Sequence, residues 1–270
     1  MGDLKAIHQF ALKYFKLYQD PETKEIDVDR TFADECFQLG FKMDAGKGFI
    51  RTFSEKAFYD EQALYEILQS IQDPGILGDG IFSKWRYITH WGHDDLTSET
   101  NRAWFVTAFS KLVLLTAEGY MPFLFYGKLK KLQLTSNSIC YGPCPEPDEE
   151  VEQRIIISWD GRVWFSRYLY GTDRDGYTLF ERKQFCIRPK DSMAIMEAFG
   201  TYFGNDYEIH DATDIGVWEL ALTNFEGRVF KVGGSLSEDL MTKDGGLSDI
   251  LRERTGLKEL YAFHRLEVAP

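Results

Sequence analysis

His90 and His93, three positions apart, with the carboxylate of Asp94 directly after, are the residues of this chain best suited to hold a metal ion. Imidazole nitrogen and carboxylate oxygen suit zinc or iron, and a metal held there would activate water for attack on a phosphoester. Arg86 or Arg102 would then offset the negative charge of the transition state. Gly92 works against this arrangement. The two histidines share a helix face only if the helix continues through that residue, and glycine commonly ends a helix. The same stretch, IFSKWRYITHWGHDD from Ile81 to Asp95, supports a structural reading that takes precedence: Trp85, Tyr87 and Trp91 need hydrogen-bond partners, and Arg86, His90, Asp94, Asp95, Asn101 and Arg102 can supply them. Tryptophan and arginine are also enriched at interfaces, so Trp85, Arg86, Tyr87, His90, Trp91 and Arg102 are the candidate binding residues.

The His93-Asp94 pair is similar to that of metal phosphohydrolases, which use a His, a His-Asp pair and a distant Asp, all on helices. The similarity covers two residues; His8 or His90 is the candidate first ligand, and nothing marks the last Asp. IFSKWRYITHW, followed by NRAWF, resembles a block of uncharacterised bacterial proteins, and the later GSLSED and LSDILRERTGLKELYAF segments have the same character. That resemblance implies no activity.

Other catalytic signatures are missing. GFKMDAGKGF around Gly46 has the wrong glycine spacing for a phosphate loop and lacks a Ser or Thr after Lys47, while VGGSL from Val232 is a lone glycine-rich bend. Neither a G-x-S-x-G elbow nor a dinucleotide fingerprint occurs. Cys140 and Cys144 are near neighbours without a second pair or a close histidine, a poor match to zinc spacings, and with Cys36 and Cys186 they are expected to stay reduced. No cofactor is expected.

What must position these residues is a chain of 270 residues, 44% hydrophobic and 15% aromatic, enough to build a substantial core. Its 43 acidic and 31 basic residues leave a net charge of −12, which disfavours a double-stranded nucleic-acid partner and makes a basic protein electrostatically easier. Apolar runs such as KLVLLTAEGYMPFLFYG are interrupted well before the roughly 20 residues of a membrane span. The N-terminal MGDLKAIHQFALKYFKLY keeps a helical stripe broken by lysines, unlike a signal peptide, and MGDLKA lacks the Ser or Thr of a myristoylation signal. A cytoplasmic location is expected.

The periodicity divides the chain. Residues 1–135 read as a helical region, with helices in DRTFADECFQLGF ending at Gly40, in DEQALYEILQSIQDPG ending before Pro74-Gly75, from near Phe82 to Gly92, and from a Ser98 cap to Gly119. Residues 136–150, rich in proline and acids, read as a connector. Residues 151–270 read as an antiparallel α+β region in the order β-β-β-α-β-β-α-β, ending in a strand over LYAFHRLEV. WDGRVWF and FEGRVFK echo one another, which raises a duplicated hairpin-helix unit against shared turn chemistry. The function expected from all this is a non-catalytic cytosolic interaction protein with a protein partner, of the immunity, inhibitor or accessory kind in a bacterial system. The alternative is the metal-dependent phosphoester hydrolase built on His90, His93 and Asp94.

Overall fold

A computed structural model of the chain describes residues 3–20, 22–23, 31–42, 60–91 (backbone only at 61, 90 and 91), 96–140, 144–171, 177–210 and 212–264. The fold is α+β, with helices first and an antiparallel sheet after them, in two compact units, Met1–Glu118 and Gly119–Pro270.

In the first unit, α1 (Leu4–Gln19) starts at Asp3, whose carboxylate accepts the Lys5 N–H. α2 (Thr31–Gln38) ends at Gly40, where φ is +80°, and the Phe41 N–H returns to the Cys36 carbonyl at 2.9 Å. α3 (Glu61–Ser70) is capped by Asp60. α4 (Pro74–Trp91) begins eight residues before the expected Phe82. Asp73 is its cap, accepting the N–H groups of Gly75 and Ile76 at 2.7 and 3.1 Å, and Pro74 occupies a first-turn position whose N–H would be unpaired anyway. α5 (Glu99–Thr116) has the expected Ser98 cap and buries Trp104, Phe105, Ala108, Phe109 and Leu112. α1 and α5 pack through stacked rings, with Tyr18 and Phe105 centroids 4.4 Å apart.

The second unit begins earlier than the expected connector. Residues 129–135, expected in the helical region, and 136–137, expected in the connector, form β1 (Leu129–Asn137), the only strand pairing with both β2 and β5 among the described residues. The strands β2 (Glu150–Ser158), β3 (Arg162–Tyr170), β4 (Tyr177–Cys186), β5 (Val217–Asn224) and β6 (Val229–Ser235) complete a six-stranded antiparallel sheet in the order β4-β3-β2-β1-β5-β6. The proline-rich acidic stretch therefore joins two neighbouring strands of one sheet. α6 (Pro189–Phe203) follows β4, and after β6 come the short pair β7 (Met241–Thr242) and β8 (Gly245–Gly246) and then α7 (Leu247–Thr255).

The echoed segments make the same turn. Gly161 and Gly227 have φ of +86° and +85°, and each donates its N–H three residues back, to Ser158 and Asn224. Trp159 and Phe225 donate their N–H groups to Lys130 and Lys128 as the chain enters β1, and their rings lie 5.6 Å apart. Turn chemistry is what the two segments share. Between β6 and α7 the two-residue β7–β8 pair stands where the first hairpin is followed by the full strand β4.

One sheet face carries Leu132, Leu134, Ile155, Ile157, Val163, Phe165, Trp218, Leu220 and Leu222, all essentially buried. Phe199 of α6 and Trp218 both contact Phe263, at 6.0 and 5.0 Å, which places the helix and the C-terminal segment over this face. The strand expected over 260–268 is absent from its described part: 260–264 are turns, with Ala262 at φ +54°. Side chains take over the pairing that a ladder would supply. Arg252 donates to the carbonyls of Leu260 (2.8 Å), Tyr261 (3.0 Å) and His264 (3.3 Å), and Ser136 donates to Ala262 (2.6 Å). Gln153 bridges Glu259 and Tyr261 at 3.0 and 2.8 Å. Asp239 accepts the Ser248 N–H and hydroxyl at 3.0 and 2.7 Å at the start of α7, so close to Gly246 that a Cβ there would lie 1.8 Å from its oxygen.

Two outcomes follow from this packing. Arg252→Met removes three hydrogen bonds to chain carbonyls and should cost about 3 kcal/mol in urea unfolding; an unchanged midpoint would contradict the role given to Arg252. Asp191, buried in the first turn of α6, is held below the usual carboxylate range by Arg188 and then Arg254. A depressed folded pKa gives stability that is present above the ordinary value and lost as pH falls through the folded one, so Asp191→Asn should flatten the loss of stability below about pH 4, and an unaltered acid profile would count against this ion pair.

Candidate binding face

The tryptophan-rich segment is largely core. Trp85 is 8% exposed, against Phe32 at 5.2 Å and Phe82 at 6.1 Å, and Ile81, Phe82 and Ile88 are buried with it. Arg86 is exposed and Tyr87 partly so. Arg102 turns away to cap chain carbonyls, bonding Thr97 at 2.8 Å, Asp20 at 2.7 Å and Thr23. The expected pairing of polar groups with the indoles is not seen at Trp85, whose Nε1 has no acceptor among the described residues. The side chains of His90 and Trp91 and the whole of residues 92–95 lie outside the described residues, and with them the His90, His93 and Asp94 metal arrangement. Among the described residues no group of His, Cys, Asp and Glu gathers as a metal site. His8 is buried with Nδ1 3.0 Å from the Thr116 hydroxyl, and burial pushes the Cys36 thiol up, leaving it little thiolate.

Two clefts flank β7. One, of about 290 Å³, is lined by His210, Trp218 and Glu238; the other, of about 520 Å³, by Glu197, Asp206, Asp244 and Glu253; Tyr202 and Met241 border both. The Tyr202 hydroxyl is pushed up to about 12 by burial and by Asp239, so it stays protonated at neutral pH.

The second sheet face is different. Side chains alternate across a strand, so the residues between the core positions share the opposite side, and register aligns them in rows. One row runs Lys231, Ala221, Gln133, Ile156, Trp164, Gln184; the next runs Gly233, Glu219, Thr135, Arg154, Ser166, Arg182; a third holds Asn137, Glu152, Tyr168 and Leu179. Lys131 and Arg162 stand at one end. Most of these residues are exposed or partly exposed. In a chain of charge −12, this face carries Lys131, Arg154, Arg162, Arg182 and Lys231 against Glu152 and Glu219.

Several of its groups are held in place. Glu152, 5% exposed, accepts from Arg154 Nε at 2.6 Å and Asn137 Nδ2 at 3.0 Å, and the Arg154 guanidinium lies 4.6 Å from the Tyr168 ring centre. Arg162 lies 5.8 Å from the Trp164 ring centre and bonds Asp160 at 2.9 Å; with the Ser158 hydroxyl it draws the Asp160 carboxyl down to about 2. Arg182 makes no ion pair or hydrogen bond among the described residues. Cations and rings on an open surface can bind an anionic or planar group. Sequence reasoning missed these residues, although RVWFSRYLY carried the signal: Val163 and Phe165 alternate with Trp164, Ser166 and Tyr168.

No family model, no curated protein and no solved structure matches this chain.

The burial of Trp85 makes a direct forecast. Trp85→Ala should cost roughly 3–5 kcal/mol, whereas Arg86→Ala should stay within about 0.5 kcal/mol, both read from urea unfolding; equal, negligible effects would place Trp85 at the surface instead.

Proposed function

We propose that the chain is a non-catalytic interaction protein of the cytoplasm, an immunity, inhibitor or accessory factor of a bacterial system, whose partner docks on the open face of the sheet. The observation that carries this reading is the contrast between the two faces: one is sealed by helices and side-chain hydrogen bonds, and the other leaves Arg154 and Arg182 exposed and Trp164 and Tyr168 partly exposed. Buried arginine contacts and aromatic anchors dominate binding energy at interfaces, and a sheet face is rigid enough to hold them in position. Compatible with this setting, no helix among the described residues is long and apolar enough to cross a membrane. Net charge alone favours a basic protein partner; the local charge of this face favours an acidic one.

A double variant, Trp164→Ala with Arg182→Ala, tests the reading against the hydrolase alternative when combined with metal analysis. The variant should keep the parent's thermal midpoint and lose its bound partner, and the parent, purified without a His tag or added metal, should be metal-free. Near-stoichiometric zinc, iron or manganese that disappears in a folded His90→Ala, His93→Ala variant would replace this reading with metal-dependent hydrolysis.

A further inference from the structure

Ser166 lies at the middle of a small, regular cluster of side chains on the open face. Arg154 and Arg182 flank it on the neighbouring strands, and Trp164 and Tyr168 flank it two residues before and after on its own strand. Strand geometry puts the two arginines about 10 Å apart across the face and the two aromatic residues about 13 Å apart along it. Glu152 engages Arg154 through Nε, leaving its terminal nitrogens to meet an anion, and neither Arg182 nor the Ser166 hydroxyl has a hydrogen bond among the described residues. Resting on the reading of this face as a binding surface, we propose that its partner is single-stranded nucleic acid, with a base stacked on Trp164 and the adjoining phosphate held over Ser166 by Arg182 and by Arg154, whose guanidinium already lies on the Tyr168 ring.

The chemistry discriminates between partners. A ring presented on an open face stacks with an unpaired base of any sequence, and flanking guanidiniums meet the phosphates on either side. A duplex keeps its bases stacked on one another, so it would use the cations and leave the rings idle, while the chain's overall acidity opposes the rest of its polyanionic surface. An acidic peptide would likewise satisfy the arginines alone, and an extended peptide gains its main-chain bonds at a sheet edge rather than on a face. Lys131 and Lys231, farther out on the same surface, extend the cationic track beyond the central cluster.

Fluorescence anisotropy on the full chain tests this with labelled single-stranded RNA and DNA of about 12 nucleotides, a duplex of the same length, and polyglutamate. The expected result is single-strand binding that exceeds duplex binding and weakens between about 50 and 200 mM salt. Trp164→Ala should weaken it at least about tenfold and Arg182→Ala should reduce the salt dependence, whereas Lys258→Ala, an equal charge change at an exposed site away from this face, should do neither. Single-strand binding no tighter than duplex binding would overturn the stacking proposal. Binding of polyglutamate alone, lost in Arg182→Ala, would overturn the nucleic-acid proposal and leave the face as the binding surface. Single-strand binding unaffected by Trp164→Ala and Arg182→Ala, with thermal midpoints unchanged, would overturn both.

Discussion

Residues 260–263 are buried without forming regular structure, so their backbone N–H and C=O groups need partners from elsewhere. Arg252 is the chief supplier: one guanidinium, 8% exposed, binds the carbonyls of Leu260, Tyr261 and His264. Ser136 and Gln153, polar residues at positions where the strands otherwise bury Leu and Ile, hold the same segment from below. A buried guanidinium is costly unless each of its bonds is made, and these bonds specify where the segment can lie. With the segment fixed, Phe263 reaches both Trp218 and Phe199, and the first sheet face is closed.

Closing one face leaves the chemistry of the other to be decided by alternation. Every strand that buries Leu, Ile or Val on the covered side must present its intervening residues on the open side, and there the chain places arginines, lysines, Trp164 and Tyr168. Glu152 is the conspicuous buried polar group on that side, and its bonds to Arg154 and to the partly exposed Asn137 steady Arg154 against Tyr168. The acidic balance of the whole chain conceals this locally basic surface, since the excess of Asp and Glu lies elsewhere.

The helices and hairpins were legible because their punctuation is local: Ser98 as a cap, Gly40 as a stop, and glycines 161 and 227 at left-handed turn positions. The helix before Pro74 ends as expected, but the start of α4 at Pro74 was not legible, because proline suits both the end of one helix and the first turn of the next, and only the Asp73 hydrogen bonds show that it does both. The last strand failed for a different reason. LYAFHRLEV has strand-like composition, but its described part is held by Arg252 and Ser136, contacts distant in sequence. The open face was invisible for the same kind of reason: Val163 and Phe165 are as apolar as Trp164 is, and which set is buried depends on what covers the sheet. In IFSKWRYITHW the aromatic density was legible, but Trp85 serves the core of the first unit and Arg102 serves backbone carbonyls.

Hydroxyl-radical footprinting of the full chain, read residue by residue by mass spectrometry, measures the asymmetry of the sheet directly. Trp164 and Tyr168 should oxidise readily, while Trp218 and Phe263 on the sealed side should remain protected until the protein unfolds. Protection of Trp164 and Tyr168 equal to that of Trp218 would contradict the claim that one face of this sheet is core and the other is a binding surface.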